Sequence, residues 1–194
     1  MPKIVAESVA ANRDLRQNAI LSAATEIARA QGFEAVTIGA VAQHAGLARS
    51  SVYAYFNSSA DLIADVLVDE LTDFIDYLSE KTASLPRDKM FIRRWIETSM
   101  EYILDGRHSL ARAAGSVELP ATRRAQLKNL HREMYQPLAE TLVSLGAENP
   151  MRVGQQISAL LDVAVLRIEQ GHDSVTETAA LFNLLNQAFP ELIA

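Results

Sequence analysis

No cysteine occurs anywhere in the 194 residues. That excludes a disulfide framework, a thiolate metal site and a cysteine nucleophile. Histidine is scarce as well. His44, His108, His131 and His172 fall in separate segments, with no His-x-x-x-His pair to grip a metal. The chain also lacks a glycine-rich phosphate loop, a nucleophile elbow and paired catalytic carboxylates. Adjacent acids such as Asp69 and Glu70 read as a solvated helix face. Acidic or polar residues interrupt every apolar run, so no stretch has the length of a membrane span. The start of the chain lacks the basic and then apolar pattern of a signal peptide. These absences lead us to expect a soluble cytoplasmic protein that is not an enzyme, with no cofactor, no metal and no membrane partner.

What is present is apolar side chain in quantity: 49% of residues are hydrophobic, enough for a real core and too many for a disordered chain. The net charge of −6 argues against a general nucleic-acid coat, but its distribution is uneven. Residues 1–60 carry five cations (Lys3, Arg13, Arg16, Arg29, Arg49) against four acids, leaving −7 on the remainder. A weakly basic head on an acidic body fits this asymmetry, with modest electrostatic affinity for any nucleic acid.

The periodicity is helical throughout, and no strand of useful length is apparent. A first helix is expected from about Arg13 to Gln31, capped by Asn12 and closed by Gly32, with Leu15, Ala19, Ala23, Ile27 and Ala28 as its apolar stripe. Ser58-Ser59-Ala60-Asp61 is a capping box for a long helix to about Ala83. Further helices follow near 88–104, 107–117 and 120–145, the last with Pro137 as a kink. Asn149-Pro150 opens another that closes at Gly171, and Ser174-Val175-Thr176-Glu177 caps one running to about Phe189.

Residues 37–56 carry the functional signal. Thr37 can cap a short helix whose Ile38, Val41, Ala42 and Ala45 share one face. Gly46 supplies the left-handed residue of a sharp turn, and Leu47 tucks in behind it. A second short helix then sends Val52 and Phe56 to the same core, leaving Arg49, Ser50, Ser51 and Ala54 outside. Such a helix-turn-helix offers the start of its second helix to the major groove of double-stranded DNA. There the Arg49 guanidinium can bond guanine O6 and N7 together, Ser50 and Ser51 can reach base edges or phosphates, and Ala54 can touch a thymine methyl.

The runs Ile20-Leu21-Ser22-Ala23-Ala24, Gly32-Phe33-Glu34-Ala35-Val36-Thr37-Ile38, Val41-Ala42-Gln43-His44-Ala45-Gly46-Leu47 and Val52-Tyr53-Ala54-Tyr55-Phe56 agree in order and spacing with one known pattern. Over roughly residues 13–66 the chain resembles the N-terminal domain of the TetR family of transcriptional regulators. The resemblance implies an all-α protein: a three-helix head with the helix-turn-helix, residues 1–57, and a larger helical body for effector binding and dimerisation, residues 58–194. It also implies that Thr37, Tyr53 and Tyr55 contact backbone phosphate, although the Tyr53 ring reads equally well as packing. Three positions depart from the family pattern. Ala48 stands where a capping side chain is usual, Ser59 replaces a frequent phosphate-binding lysine, and Gly39 offers no side chain to a base.

In the resembled family the last two helices pair with their two-fold mates. Here Ile157, Leu160, Leu161, Ala164 and Ile168, then Phe182, Leu185 and Phe189, are the expected homodimer interface, in a region more apolar than one buried stripe requires. The family's middle helices enclose an effector pocket. Its expected lining is Phe74 and Tyr77, then Phe91, Trp95 and Tyr102, then His131, Met134 and Tyr135. Two readings stand side by side. One is a repressor released from a palindromic operator by a mostly apolar small molecule. The other is a DNA-bound adaptor whose body binds a protein.

Overall fold

A computed structural model describes residues 2–107, 110 and 117–193. Among these residues there is no strand. The elements are α1 (Pro2–Gln31), a single 3-10 turn (Phe33–Ala35), α2 (Ile38–His44), α3 (Arg49–Tyr53), α4 (Ser59–Thr82), α5 (Lys89–Leu104), α6 (Ala121–Ser144), α7 (Pro150–Glu169), α8 (Ser174–Ala188) and α9 (Pro190–Ile193). The fold is therefore all-α, as expected. The helix anticipated over 107–117 lies almost wholly outside the described residues. No described helix is long and apolar enough to cross a membrane.

The chain divides into two compact units. The first holds residues 2–70, 110 and 117–128; the second holds 71–107 and 129–193. The first unit extends past residue 57 because the opening turns of α4 supply much of its core. Leu62, Ile63, Val66 and Leu67 are buried with Ile20, Ala24 and Ile27 of α1, Val41 of α2, and Val52 and Phe56. Ser58 starts α4 as its spacing predicts, its Oγ accepting from the Asp61 N–H at 3.1 Å and donating to Asp61 Oδ2 at 2.9 Å.

Two details of α1 correct the sequence reading. The helix begins at Pro2 rather than Arg13, because residues 2–12 contain no breaker after a proline suited to a first turn. Its buried stripe is Ile20, Ala23, Ala24, Ile27 and Ala28, whereas Leu15 is 68% exposed and Ala19 is also in solvent. Leu15 lies about 140° around the helix from Ile20. In the same unit Asp65 pairs with Arg123 at 2.8 Å, yet burial raises its pKa more than Arg123 lowers it.

In the second unit, Asp88 caps α5 by accepting from the Met90 and Phe91 N–H groups. α6 is helical through Pro137, and Asn149 caps α7 through the Arg152 N–H. The cap of α8 is Asp173, not Ser174: its carboxylate accepts from the Thr176 N–H at 2.8 Å and hydroxyl at 2.7 Å. An acid at this position also complements the helix dipole, which favours it over the serine that follows. Glu177 takes no part in the cap. It accepts from Arg167 Nε at 2.8 Å, tying α8 to α7.

This pair and cap give the fold a pH dependence. The Arg167 hydrogen bond holds the Glu177 pKa below 4.5, and the Thr176 bonds hold that of Asp173 below 3.8. Both groups bind protons less tightly in the folded chain than in the unfolded one. Their stabilisation is therefore complete above the unfolded values and is lost as pH falls through the folded ones. Thermal melting from neutral pH down to about 3, within the range spanned by carboxylate titration, should show a shallower acid decline for Glu177→Gln than for the wild type. Parallel curves would remove the pair from this role.

Candidate DNA interface

The helix-turn-helix is built from local signals. Thr37 Oγ1 accepts from the Ala40 N–H at 3.1 Å and starts α2. At its far end Gly46 takes φ +66°. The Leu47 N–H then reaches the Ala42 carbonyl at 2.8 Å, and the Gly46 N–H reaches Gln43 at 3.3 Å. This closes the last carbonyls of α2 and reverses the chain, a conformation that favours glycine. Leu47 packs half-buried on the core, and Val52 and Phe56 anchor α3 and the turn after it. The Glu26 carboxylate and His44 Nε2 meet at 2.8 Å, fixing the end of α2 to α1.

That anchoring decides what faces outward. Arg49, Ser50 and Ala54 are exposed, and Ser51 is half-buried. Ala48 makes no side-chain cap, so α3 starts without that support. The Tyr53 ring is 57% exposed, which removes the packing reading for it. Tyr55 is half-buried on the core, with the Arg13 guanidinium 5.8 Å from its ring centre. Thr37 is exposed, its hydroxyl engaged in the cap. Ser59 is half-buried at the first position of α4.

Asn12, Arg13 and Arg16 join Ala54 and Tyr55 around an open cavity of about 400 Å³. The sequence reading counted these two arginines only as head charge. Their i, i+3 spacing, which puts both on one side of a helix, is the signal that could have assigned them to this surface.

The comparisons with known proteins fall on these same residues. The model of bacterial regulatory proteins of the tetR family matches residues 20–66, from the buried stripe of α1 to the anchoring turns of α4. Over that segment the chain is a TetR-type N-terminal helix-turn-helix domain. No curated protein matches the chain in sequence. Among solved structures, it is similar to the fatty acid degradation regulator FadR of Bacillus halodurans, at 18% identity and a TM-score of 0.69, over 88% of this chain and 94% of that one. FadR of Bacillus subtilis, in complex with stearoyl-CoA, gives 20% identity and 0.69, over 86% and 96%. A TetR family regulator of Marinobacter aquaeolei VT8 gives 18% and 0.68, over 93% and 97%. At these identities the likeness establishes a shared fold, an N-terminal helix-turn-helix domain followed by a larger helical domain.

The residues expected to line an effector pocket separate in the second unit. Phe74 stacks on Tyr102 with ring centres 4.6 Å apart, and Tyr77 lies 5.2 Å from Tyr102. The Arg107 guanidinium sits 4.6 Å from the Tyr77 ring and 4.5 Å from that of Tyr102. Sequence reasoning missed this half-exposed cation, which follows α5 in a stretch read as the next helix. Trp95 lies 5.7 Å from Tyr135, whose hydroxyl hydrogen-bonds with that of Ser158 and whose pKa burial raises. Phe91 is buried beneath the Arg87 guanidinium, and Met134 is buried too. His131 faces solvent. An open cavity of about 640 Å³ lies elsewhere in this unit, with Met100 and Leu104 of α5 facing Val175 and Phe182 of α8. None of the eight expected effector residues lines it.

The residues expected at a dimer interface lie mostly inside the chain. Ile157, Leu161, Ala164, Phe182 and Leu185 are buried within the chain's own core, and Leu160, Ile168 and Phe189 are half-buried. The large apolar side chains that α7 and α8 leave in solvent are Met151, Val163, Leu166, Val175 and Leu184. Both helices are apolar on two adjacent sides. Periodicity finds both stripes without saying which one faces inward.

Proposed function

We propose that this protein is a repressor that binds a palindromic operator as a homodimer and leaves it when a mostly apolar small molecule binds the body. In this reading residues 1–57 carry the DNA-reading surface, on a core closed by the opening turns of α4, and the remainder of residues 58–194 dimerises and takes the effector. The carrying observation is the exposed start of α3, held outward by the burial of Val52 and Phe56. Arg49 reads a guanine edge, Ser50 and Ser51 reach bases or phosphates, and Ala54 meets a thymine methyl. Thr37, Tyr53 and Tyr55 set register on the phosphates, with Ser59 beside them and two of the head's five cations, Arg13 and Arg16, placed near Ala54 and Tyr55.

The dimer uses the solvent-facing stripe of α7 and α8, around Val163, Leu166 and Leu184, in place of the buried one. The effector site is drawn from the aromatic groups around Tyr102 and Trp95. The Tyr135 hydroxyl supplies one of the few polar contacts such a ligand needs. FadR of Bacillus subtilis, in complex with stearoyl-CoA, supports an effector with a large apolar part.

Selection from random duplex DNA tests the reading. The selected sites should be pseudo-palindromes whose half-sites lie one or more helical turns apart, about 34–36 Å per turn. Arg49→Ala should relax one base pair per half-site, at a cost of about 1–3 kcal/mol each. Equal affinity of the wild type for selected and scrambled duplexes at moderate salt would refute the proposal.

A further inference from the structure

Gly39 is the second residue of α2, with α-helical backbone that any residue adopts. A side chain there would meet the end of the Arg49 side chain. A Cβ at Gly39 would lie 2.8 Å from Arg49 Nη2, 3.0 Å from Cζ and 3.1 Å from Nε. The Arg49 guanidinium thus occupies the space that a side chain at Gly39 would take. Among the described residues, Arg49 has no ion pair or hydrogen bond to hold it elsewhere. The glycine noted as offering nothing to a base instead offers a seat.

We infer that Gly39 is a specificity-determining position: its missing side chain seats the Arg49 guanidinium against α2 and fixes the direction from which it meets the base pair. The inference rests on the reading of α3 as the DNA-reading helix. A free arginine on a helix start samples many rotamers and must be ordered when it binds. Seated on Gly39, it is already restricted. Any Cβ at that position displaces the guanidinium, since real contacts under 3.0 Å are essentially not seen. Gly39 is therefore a positioning residue and Arg49 the one that touches the base.

This role makes an unusual pair of expectations. Alanine is a better helix former than glycine, so Gly39→Ala should melt no lower than the wild type. A purely structural glycine would behave in the opposite way. Binding to scrambled duplex, set by charge, should stay within twofold of wild type. Discrimination at the base pair read by Arg49 should nevertheless fall about tenfold. A double-mutant cycle of Gly39→Ala and Arg49→Ala, read on the selected duplex and its single-base variants, decides the matter whatever the melting temperature does. The double variant should discriminate no worse than Arg49→Ala alone, because both changes remove one interaction. Additive losses, or Gly39→Ala retaining wild-type base preference, overturn the positioning role. If the wild type itself prefers no sequence, the DNA-reading assignment of α3 fails first, and that result is distinct from the others.

Discussion

Glutamate in place of Leu185 is expected to unfold the second unit, while glutamate in place of its neighbour Leu184 leaves that unit folded and breaks the proposed dimer. Leu185 is 0% exposed, whereas Leu184, about 100° around the same helix, is 52% exposed. A carboxylate at 185 enters the core with no partner. Its desolvation, or the protonation that avoids it, costs several kcal/mol, a large fraction of the 5–15 kcal/mol that stabilises a typical domain. At 184 the charge stays in water, so the free chain loses little. In a two-fold interface the same patch is used twice, and the new carboxylate meets apolar surface or its own mate. Leu184→Glu should therefore be a folded monomer with weakened operator binding, and Val163→Glu should behave alike. Leu161→Glu should follow Leu185→Glu. Circular dichroism and light scattering on the four variants separate these outcomes. A Leu184→Glu variant that stays dimeric, or a wild type that is monomeric at micromolar concentration, would overturn the assignment of this face.

These contrasts mark where a sequence alone stops being informative. The helix-turn-helix was legible because its determinants are local. The Thr37 cap, the left-handed Gly46 and the inward Val41, Val52 and Phe56 all lie within twenty residues, and each has a distinct chemical signature. The Ser58 cap of α4 was legible for the same reason. What depends on a neighbouring element was not. Which stripe of α7 and α8 faces inward is decided by the helices packed on them, and their sequences carry two. Ser174 and Asp173 are both good caps, and the choice between them moved Glu177 from a cap to an ion pair with Arg167. The candidate DNA surface was read correctly for exposure at Arg49, Ser50 and Ala54. Its partners Arg13 and Arg16 come from α1, and the seat of Arg49 on Gly39 joins two helices, so neither could be read from one segment.

The reading head should be destabilised by about 2–5 kcal/mol when Leu62, on α4, becomes alanine. Leu62 lies beyond the expected end of the head at residue 57, yet it is 0% exposed in the same core as Val52 and Phe56. Removing its side chain leaves a cavity against the residues that hold α3 outward, and the loss combines the transfer and cavity terms. For a unit of this size each kcal/mol lowers the melting temperature by about 4–8 °C, so the shift should be about 8 °C or more. Operator affinity should fall with it near physiological temperature, because an unfolded head cannot bind. Leu15→Ala is the matched control. Its side chain is solvent-exposed on α1, and surface substitutions of this kind stay within about 0.5 kcal/mol. Thermal melting of the two variants therefore discriminates between a head that is complete at residue 57 and one whose core is closed by α4. Equal, small shifts for both leucines would mean that α4 contributes nothing to the stability of the reading head.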